Sequence, residues 1–285
     1  MKYIDTHTHV NLRAFREDSE AAIQRALDAG VAVVNVGTQI DTSRQAVALL
    51  EKFPDDEVYA VIGLHPTHTY AHDYEDDEEV KFKTREETFD PVLYEELVKN
   101  ARVVGIGECG LDYYRLPDDR DHEEIKQLEL AAFEKQILFA LDNNKALCIH
   151  CRPTDGTIDA YEDLLELMTK VKTENPELRF EVHCYTGDAV TAIKFTELGG
   201  FIGLNGIITF DKTGRSEEVV KALPLNFMIL ETDAPYLTPK SHRGQRNEPS
   251  YITEVAEKIA EWKNISLEEV ATATTANAKK LFNLI

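Results

Sequence analysis

The sequence predicts an α/β protein: a single (β/α)8 TIM barrel over residues 1–285, with an acidic insertion after the third strand. First, eight short apolar runs alternate with amphipathic stretches, as strands and helices do in α/β folds. Second, a length of 285 residues is typical of one such barrel. Third, histidines and carboxylates follow several runs, where a barrel forms its mouth. A doubly wound open sheet is the alternative.

The predicted strands are short and apolar on both faces, which is typical of a buried parallel sheet. They cover residues 2–6, 31–36, 58–64, 102–107, 146–150, 179–183, 200–204 and 227–231. Between them, periodicity predicts a helix over 18–29 and another over 42–53 with Asp41 as its N-cap. Further helices are expected after Asp119, after Gly156, between Thr186 and Gly200, around 252–259 and after Ser266.

The insertion at residues 72–90 carries nine acidic residues against three basic ones. It follows the third strand, so it lies on the face where barrel active sites form. We expect a solvated loop. A lid or a partner site is the functional alternative.

The net charge of −21 repels nucleic acid at long range, so a phosphate-bearing substrate requires local positive charge from metal ions or arginines. The four cysteines do not form the pattern of a disulfide framework. Neither a secretory signal nor an apolar run of about 18 residues is visible. We therefore expect a cytoplasmic protein with no membrane association. Separately, we expect a monomer.

Residues at the carboxyl ends of barrel strands converge on one mouth. His7 and His9 lie two apart on the first strand, so both imidazoles point to one face. Buried carboxylates and unpaired histidines cost several kcal/mol, so their recurrence at strand ends predicts a metal site. The candidate ligands are His7, His9, Glu108, His150, His183 and Asp233.

Nitrogen and carboxylate donors suit zinc, manganese or magnesium. Two such ions about 3.5–4 Å apart can clamp a phosphoryl group and activate water. Glu108 is the best candidate for a bridge because it lies mid-barrel, and Asp233 could complete the coordination or accept a proton. Both are therefore candidate catalytic residues. His65 is not assigned as a ligand because the set is complete without it, and it is a candidate phosphate or loop contact.

Cys148 and Cys151 form a C-x-x-C pattern, a familiar zinc or redox spacing. On a strand, residues three apart point to opposite faces, so the two thiols are not expected to chelate together. We expect Cys109, Cys151 and Cys184 to pack beside the ligands and not to act as nucleophiles.

Arginines in the predicted mouth loops could focus a phosphodiester toward the metals, because a guanidinium matches phosphate oxygens bidentately. The candidates are Arg115, Arg152, Arg243 and Arg246. For each one the alternative is a salt bridge that fixes a loop.

Taken together, the strand-end segments resemble the TatD family of metal-dependent deoxyribonucleases in the amidohydrolase superfamily. They are Asp5-Thr6-His7-Thr8-His9, Gly63-Leu64-His65-Pro66, Gly107-Glu108-Cys109-Gly110-Leu111-Asp112, His150-Cys151-Arg152, His183-Cys184-Tyr185-Thr186-Gly187, Glu231-Thr232-Asp233-Ala234-Pro235-Tyr236-Leu237, Arg243-Gly244 and Arg246-Asn247-x-Pro249. The insertion after Pro66 is longer than the family's usual loop.

The resemblance implies a TIM barrel with two divalent metal ions. One ion would be held by His7, His9, Glu108 and Asp233, and the other by Glu108, His150 and His183. It also implies hydrolysis of DNA phosphodiester bonds, chiefly from the 3′ end. The positions expected near the scissile phosphate are His65, Asp112, Tyr113 and Arg115.

Three functions remain open. The leading one is a 3′–5′ exodeoxyribonuclease that acts on single-stranded DNA or 3′ ends with metal-activated water. The second is an amidohydrolase acting on a small amide, lactone or phosphoester, and the third is a metal-stabilised interaction scaffold without activity. No lysine follows a predicted strand where a carboxylated lysine could bridge two metals. Glu108 takes that place, which favours the nuclease.

Overall fold

The computed structural model describes residues 1–55, 57–75, 81–114 and 116–284. The strands are β1 Tyr3–Thr8, β2 Val31–Val36, β3 Val58–Ile62, β4 Asp73–Glu75, β5 Lys81–Lys83, β6 Val103–Asp112, β7 Ala146–Arg152, β8 Phe180–Val182, β9 Phe201–Leu204 and β10 Met228–Leu230. The helices are α1 Ser19–Asp28, α2 Ile40–Lys52, α3 Pro91–Val98, α4 His122–Asp142, α5 Asp159–Glu174, α6 Ala189–Glu197, α7 Arg215–Ala222, α8 Ile252–Lys263 and α9 Leu267–Phe282.

Eight of the strands form one parallel sheet in the order β1-β2-β3-β6-β7-β8-β9-β10. The sheet curves until its two ends meet just beyond β1 and β10. There the His9 N–H donates to the Ala234 carbonyl at 2.7 Å, and the Asp233 N–H donates to the His7 carbonyl at 2.9 Å. The predicted (β/α)8 TIM barrel is confirmed, and the open sheet is excluded.

Side-chain alternation along the strands divides the core into two layers. On β2, Ala32 and Val34 face the barrel interior, while Val31 and Val33 pack under the helices. Phe282 of α9 joins the inner layer, and the Thr275 hydroxyl donates to the Lys2 carbonyl at the start of β1. Helix α9 therefore covers the amino ends of the strands, which leaves the carboxyl ends as the mouth.

Several elements begin or end one or two residues away from their predictions, and the end of β6 differs most. Strand β6 continues to Asp112 because Gly110 and Asp112 keep pairing with His150 and Arg152 on β7. The prediction of Asp41 as the N-cap of α2 was wrong. The cap is Gln39, whose N–H donates to the Thr42 hydroxyl at 3.0 Å. Helices α3 and α7, each of eight residues, were not predicted, whereas the capping box opened by Ser266 is confirmed.

The acidic insertion follows β3 as predicted. In its described part, β4 and β5 pair antiparallel as a short hairpin, whereas the sequence led us to expect a loop. The hairpin base is tied down where the Thr84 hydroxyl donates to the Tyr70 carbonyl at 2.6 Å. Arg85 ion-pairs with Asp41 on α2 at 2.7 Å, which holds the end of the insertion against the barrel.

Across the described part of the chain, no helix has both the length and the apolar character needed to cross a membrane.

Candidate metal centre

Strand β1 delivers two histidines to the mouth because its pairing with β2 is irregular between Asp5 and Thr8. Strict alternation from the inward-facing Ile4 would turn both His7 and His9 outward, and the irregularity turns the two imidazoles into the mouth. The Nε2 atoms of His7 and His9 lie 3.1 Å apart. Buried Asp5 accepts hydrogen bonds from the N–H and hydroxyl of Thr232, which fixes β1 against the loop after β10.

Glu108 reaches the centre through a second irregularity, between Ile106 and Cys109 on β6. Gly107 has a φ of +154°, in the region that favours glycine. A Cβ at this position would lie 2.4 Å from the Cys148 carbonyl oxygen. Glycine is therefore required for the backbone to pass β7 closely and turn the next side chain inward.

The two oxygens of the Glu108 carboxylate face two different histidine pairs. Oε1 lies 2.9 Å from both His150 Nδ1 and His183 Nε2. Oε2 lies 3.5 Å from the Nε2 atoms of both His7 and His9. A carboxylate between two groups of nitrogen donors has the arrangement needed to bridge two ions.

Asp233 joins the first histidine pair from the loop after the neighbouring strand β10. Its Oδ1 lies 3.4 Å from His9 Nε2 and 3.8 Å from His7 Nε2. The structure therefore brings together all six predicted ligands, in two groups that share Glu108. The donor atoms within each of the groups His7–His9–Glu108 and Glu108–His150–His183 lie within 4.8 Å of one another.

The donor set fits divalent metal ions. His9 Nδ1 lies 2.9 Å from the Val36 carbonyl oxygen, so Nδ1 carries the proton and the Nε2 lone pair points into the cluster. Such a contact fixes the tautomer of a metal-binding histidine. The His7 and His183 rings stack at 3.8 Å between centroids, which sets both imidazoles side by side at the cluster.

The carboxylates of the cluster are held in their ionised form. Burial raises the pKa of Glu108, but the charges of His65 and His183 and the hydrogen bonds from His150 and His183 outweigh burial and hold it well below its usual range. Burial likewise raises the pKa of Asp233, but His9 and neighbouring histidines lower it overall. The site thus supplies the anionic oxygens that a divalent ion requires.

A third group of donors adjoins the second metal group. His150 Nε2 lies 3.1 Å from Asp112 Oδ2, and His65, Asp112 and His150 could also hold an ion. However, His65 Nδ1 accepts the Thr67 N–H at 3.2 Å, so a neutral His65 carries its proton on Nε2. The Nε2 atom lies 3.3 Å from Glu108 Oε1, and its proton points toward that oxygen. In this form His65 is a hydrogen-bond donor.

The predicted substrate contacts are only partly brought together. His65, Asp112 and Arg152 line the cleft over the metal donors, with the Arg152 guanidinium 3.8 Å from the Tyr114 ring centroid. Buried Tyr113 instead donates its hydroxyl to Asp163 at 2.8 Å. Arg115 lies outside the described residues.

Two further arginines do not line the cleft. The Arg243 guanidinium lies over the Phe210 ring at 4.8 Å. Arg246 forms two hydrogen bonds of 2.7 Å with Asp18 and one of 3.0 Å with Glu248. Its hydrogen bonds, together with those from Arg25, outweigh partial burial and lower the pKa of Asp18 to about 2. Arg246 fixes a loop, which is the alternative that the sequence left open.

The cysteines do not form a chelating pair. Cys148 lies in the inner core and Cys151 in the outer core, so the C-x-x-C thiols point to opposite faces as predicted. Burial raises the pKa of Cys109, Cys148 and Cys151 well above the usual value, and that of Cys184 to about 12. These thiols remain neutral at physiological pH.

Two buried glutamates beneath the histidines were not predicted as part of the centre. Glu231 accepts the Cys184 N–H at 2.6 Å and the Asn205 amide at 3.0 Å, which positions the backbone after His183. Burial, and then the charge of Glu231, raise the pKa of Glu181 to about 8. A single acidic residue inside the apolar run of β8 was the sequence signal for Glu181.

Comparison with known proteins shows which family the chain belongs to. The family described as TatD related DNase matches residues 4–283. An uncharacterized metal-dependent hydrolase of Bacillus subtilis strain 168, YabD, is 36% identical over 282 residues, covering 98% of each chain. A protein of Citrobacter rodentium named 3′-5′ ssDNA/RNA exonuclease TatD is 30% identical over 96% of each chain.

A solved structure agrees with the barrel described above. The TatD homologue YJJV of Escherichia coli K12 superposes with a TM-score of 0.81 at 27% identity, covering 100% of this chain and 99% of that one. The family match and the similarity to YabD both extend over nearly the whole chain. The chain belongs to the TatD family and is a metal-dependent hydrolase of ester bonds.

Proposed function

We propose that the protein removes nucleotides from the 3′ end of single-stranded DNA, with residues 1–285 acting as one catalytic domain in a monomer. The observation that carries this proposal is the Glu108 carboxylate, whose two oxygens face the His7–His9 pair and the His150–His183 pair. A bridged pair of divalent ions is suited to phosphodiester hydrolysis. The similarity to a named ssDNA/RNA exonuclease supports nucleic acid as the substrate.

The ligand roles follow from the two donor groups. His7, His9, Glu108 and Asp233 would hold one ion, and Glu108, His150 and His183 the other. When bound, two ions of magnesium, manganese or zinc would neutralise phosphate charge and lower the pKa of the attacking water. The ionised state of Glu108 and Asp233 suits both roles.

The protein's own side chains would orient the reaction. Asp233 Oδ1 faces the first histidine pair, where it would take the proton of the attacking water. Asp112 holds His150 through Nε2 and so aims Nδ1 at Glu108. His65 and Arg152 lie in the same cleft and would donate hydrogen bonds to phosphate oxygens.

The second candidate is hydrolysis of a small amide, lactone or phosphoester. The net charge of −21 favours it because an acidic protein repels a long polyanion. The inactive scaffold is not retained, since the chain belongs to a hydrolase family.

A time course on single-stranded DNA with added magnesium, manganese or zinc tests the proposal. The 3′-labelled strand should release a labelled mononucleotide at once, and the 5′-labelled strand should yield a ladder that shortens stepwise. Glu108→Gln should lower the rate by roughly 10³-fold or more, since it weakens both metal groups together. Glu96→Gln, at a side chain that is 83% exposed on α3, is the matched control.

Three outcomes would contradict the proposal. They are equal rates for Glu108→Gln and the wild type, persistence of cleavage with a chelator, and no cleavage by a metal-loaded wild type. The last outcome, combined with hydrolysis of a small ester, would favour the second candidate.

A further inference from the structure

The cleft over the metal donors extends well past them, along the loop after β1 and one side of α2. Its volume of about 1020 Å³ lies at the upper end of the roughly 300–1,000 Å³ that ligand pockets occupy. Glu108 and His150 lie at its inner end, while Arg13, Arg16 and Lys52 line its outer end. The cleft therefore offers space beyond a single nucleotide at the metals.

Arg13 and Arg16 are charged groups without a counter-ion in the described part of the chain. Both are exposed, and neither forms an ion pair with a described carboxylate. Lys52, on the same wall, lies 3.4 Å from Glu20. In a chain of net charge −21, two unpaired guanidinium groups on one cleft wall form a local site for anions.

The turn that carries these two arginines is held firmly in place. Arg13 begins a short 3-10 helix that ends at Phe15, and the Phe15 side chain is fully buried. Arg246 stacks on the Phe15 ring at 3.9 Å and donates to the Ala14 carbonyl at 2.8 Å. A supported turn presents its arginines at low entropic cost, which favours ligand binding.

The walls between the arginines and the metals suit nucleobases. Leu12, Leu49 and Tyr236 offer apolar surface, and Gln45 offers an amide that can donate and accept hydrogen bonds. An aromatic ring such as that of Tyr236, beside a basic track, is a surface on which proteins stack the bases of single strands without sequence preference.

We propose that Arg13 and Arg16 bind backbone phosphates of the nucleotides immediately 5′ of the one being removed. We call the outer end of the cleft, which is lined by Arg13, Arg16 and Lys52, the outer arm. The outer arm recognises single-stranded nucleic acid by its phosphates and not by base identity. The inference rests on the proposed function and deepens it, because it explains how an acidic protein retains a polyanionic strand. It also gives Arg246 a supporting role, since that side chain braces the turn.

A length series of substrates tests the outer arm in the metal-loaded enzyme. The one-nucleotide substrate is thymidine 5′-(p-nitrophenyl phosphate), and the longer ones are oligothymidylates of two to eight nucleotides. The wild type should gain kcat/KM with length. The double variant Arg13→Ala/Arg16→Ala should lose on the order of tenfold per arginine on the octamer, as expected for lost hydrogen bonds between charged groups. The kcat/KM of the double variant on the one-nucleotide ester should equal that of the wild type.

Arg44→Ala is the matched control. Arg44 is an exposed arginine on α2 that does not line the cleft, so its loss removes one positive charge, as each substitution in the double variant does, at a site away from the cleft. A loss of kcat/KM in Arg44→Ala as large as the loss per arginine in the double variant would overturn the inference in favour of general electrostatics. So would a double variant whose length dependence matches the wild type.

The experiments distinguish failure of the exonuclease proposal from failure of the inference about Arg13 and Arg16. If the wild type hydrolyses none of these substrates, the exonuclease proposal fails. Binding of a fluorescent phosphorothioate octathymidylate to the metal-loaded protein then decides the inference. The logarithm of the binding constant falls linearly with the logarithm of the salt concentration. A slope that is smaller by about 1.4 in the double variant, as the loss of two single-strand phosphate contacts predicts, supports the arm. Equal slopes overturn it.

Discussion

The floor of the mouth and its rim hold their charged side chains in different ways. The floor comprises His7, His9, Glu108, His150, His183 and Asp233, and the rim comprises Arg152, Arg243 and Arg246. All six floor residues converge, whereas only Arg152 of the rim lines the cleft.

The difference arises from what positions each side chain. Floor residues lie in the carboxyl halves of strands or just after them, and the barrel fixes where those halves point. A loop arginine is positioned by whichever carboxylate reaches it, and that partner can lie anywhere in the chain. Arg246 pairs with Asp18, which is 228 residues away, and no local pattern could have revealed this.

The largest expected effect lies on the floor. Asp233→Asn keeps the shape of the side chain but removes the proposed proton acceptor, so kcat should fall by roughly 10²–10⁴-fold. The KM for single-stranded DNA should change little, because the outer arm is intact. Steady-state kinetics on an oligothymidylate measures both. An unchanged kcat would show that Asp233 has no part in the chemistry.

Glu181, below the floor, should reduce stability at neutral pH. Its pKa rises on folding from 4.5 to about 8, so the folded state takes up a proton and stability falls as pH rises between these values. Glu181→Gln should raise the free energy of unfolding at pH 7 by on the order of 3 kcal/mol and have little effect at pH 4.5. Urea titrations at both pH values, at fixed metal concentration, check this. A pH-independent difference would contradict it.

On the rim, Arg246→Met should affect the fold more than the DNA contact. It removes a set of charged hydrogen bonds to Asp18 and Glu248, so the free energy of unfolding should fall by about 1–2 kcal/mol. Arg243→Met, which among the described residues loses only the contact with the Phe210 ring, should change stability by less than about 0.5 kcal/mol. Activity on the one-nucleotide ester should persist in both variants. Loss of this activity in Arg246→Met but not in Arg243→Met would show that Arg246 takes part in the active site.

The smallest effect is the pH dependence of the same network. Arg246 lowers the pKa of Asp18 from 3.8 to about 2, so the carboxylate contributes stability above pH 3.8 that is lost as pH falls toward 2. Asp18→Asn should therefore cost less than about 1 kcal/mol at pH 7 after solvent screening. Thermal unfolding should show the gap narrowing between pH 4 and pH 2. A gap that widens on acidification would contradict this account.

Much of the fold could be predicted because it depends on short-range patterns. Apolar runs located all eight barrel strands, and Ser266 with Glu269 located the start of α9. The extension of β6 could not be read from the sequence. It depends on pairing with β7 and on the Glu129 carboxylate of α4, which accepts the Asp112 N–H at 2.9 Å.

The site was also predictable only in part. Strand-end chemistry identified the metal donors, while the outer arm at Arg13 and Arg16 went unnoticed. Both arginines lie in a loop with no regular spacing. Their importance depends on the absence of nearby described counter-ions, which only the folded chain shows.

Anomalous diffraction from crystals soaked in manganese tests the central claim most directly, because it locates each ion without relying on turnover. Two peaks about 3.5–4 Å apart, one on each side of the Glu108 carboxylate, are the predicted result. One should adjoin His7 and His9, and the other His150 and His183. A single peak, or two peaks that do not share Glu108, would contradict the bridged two-metal centre.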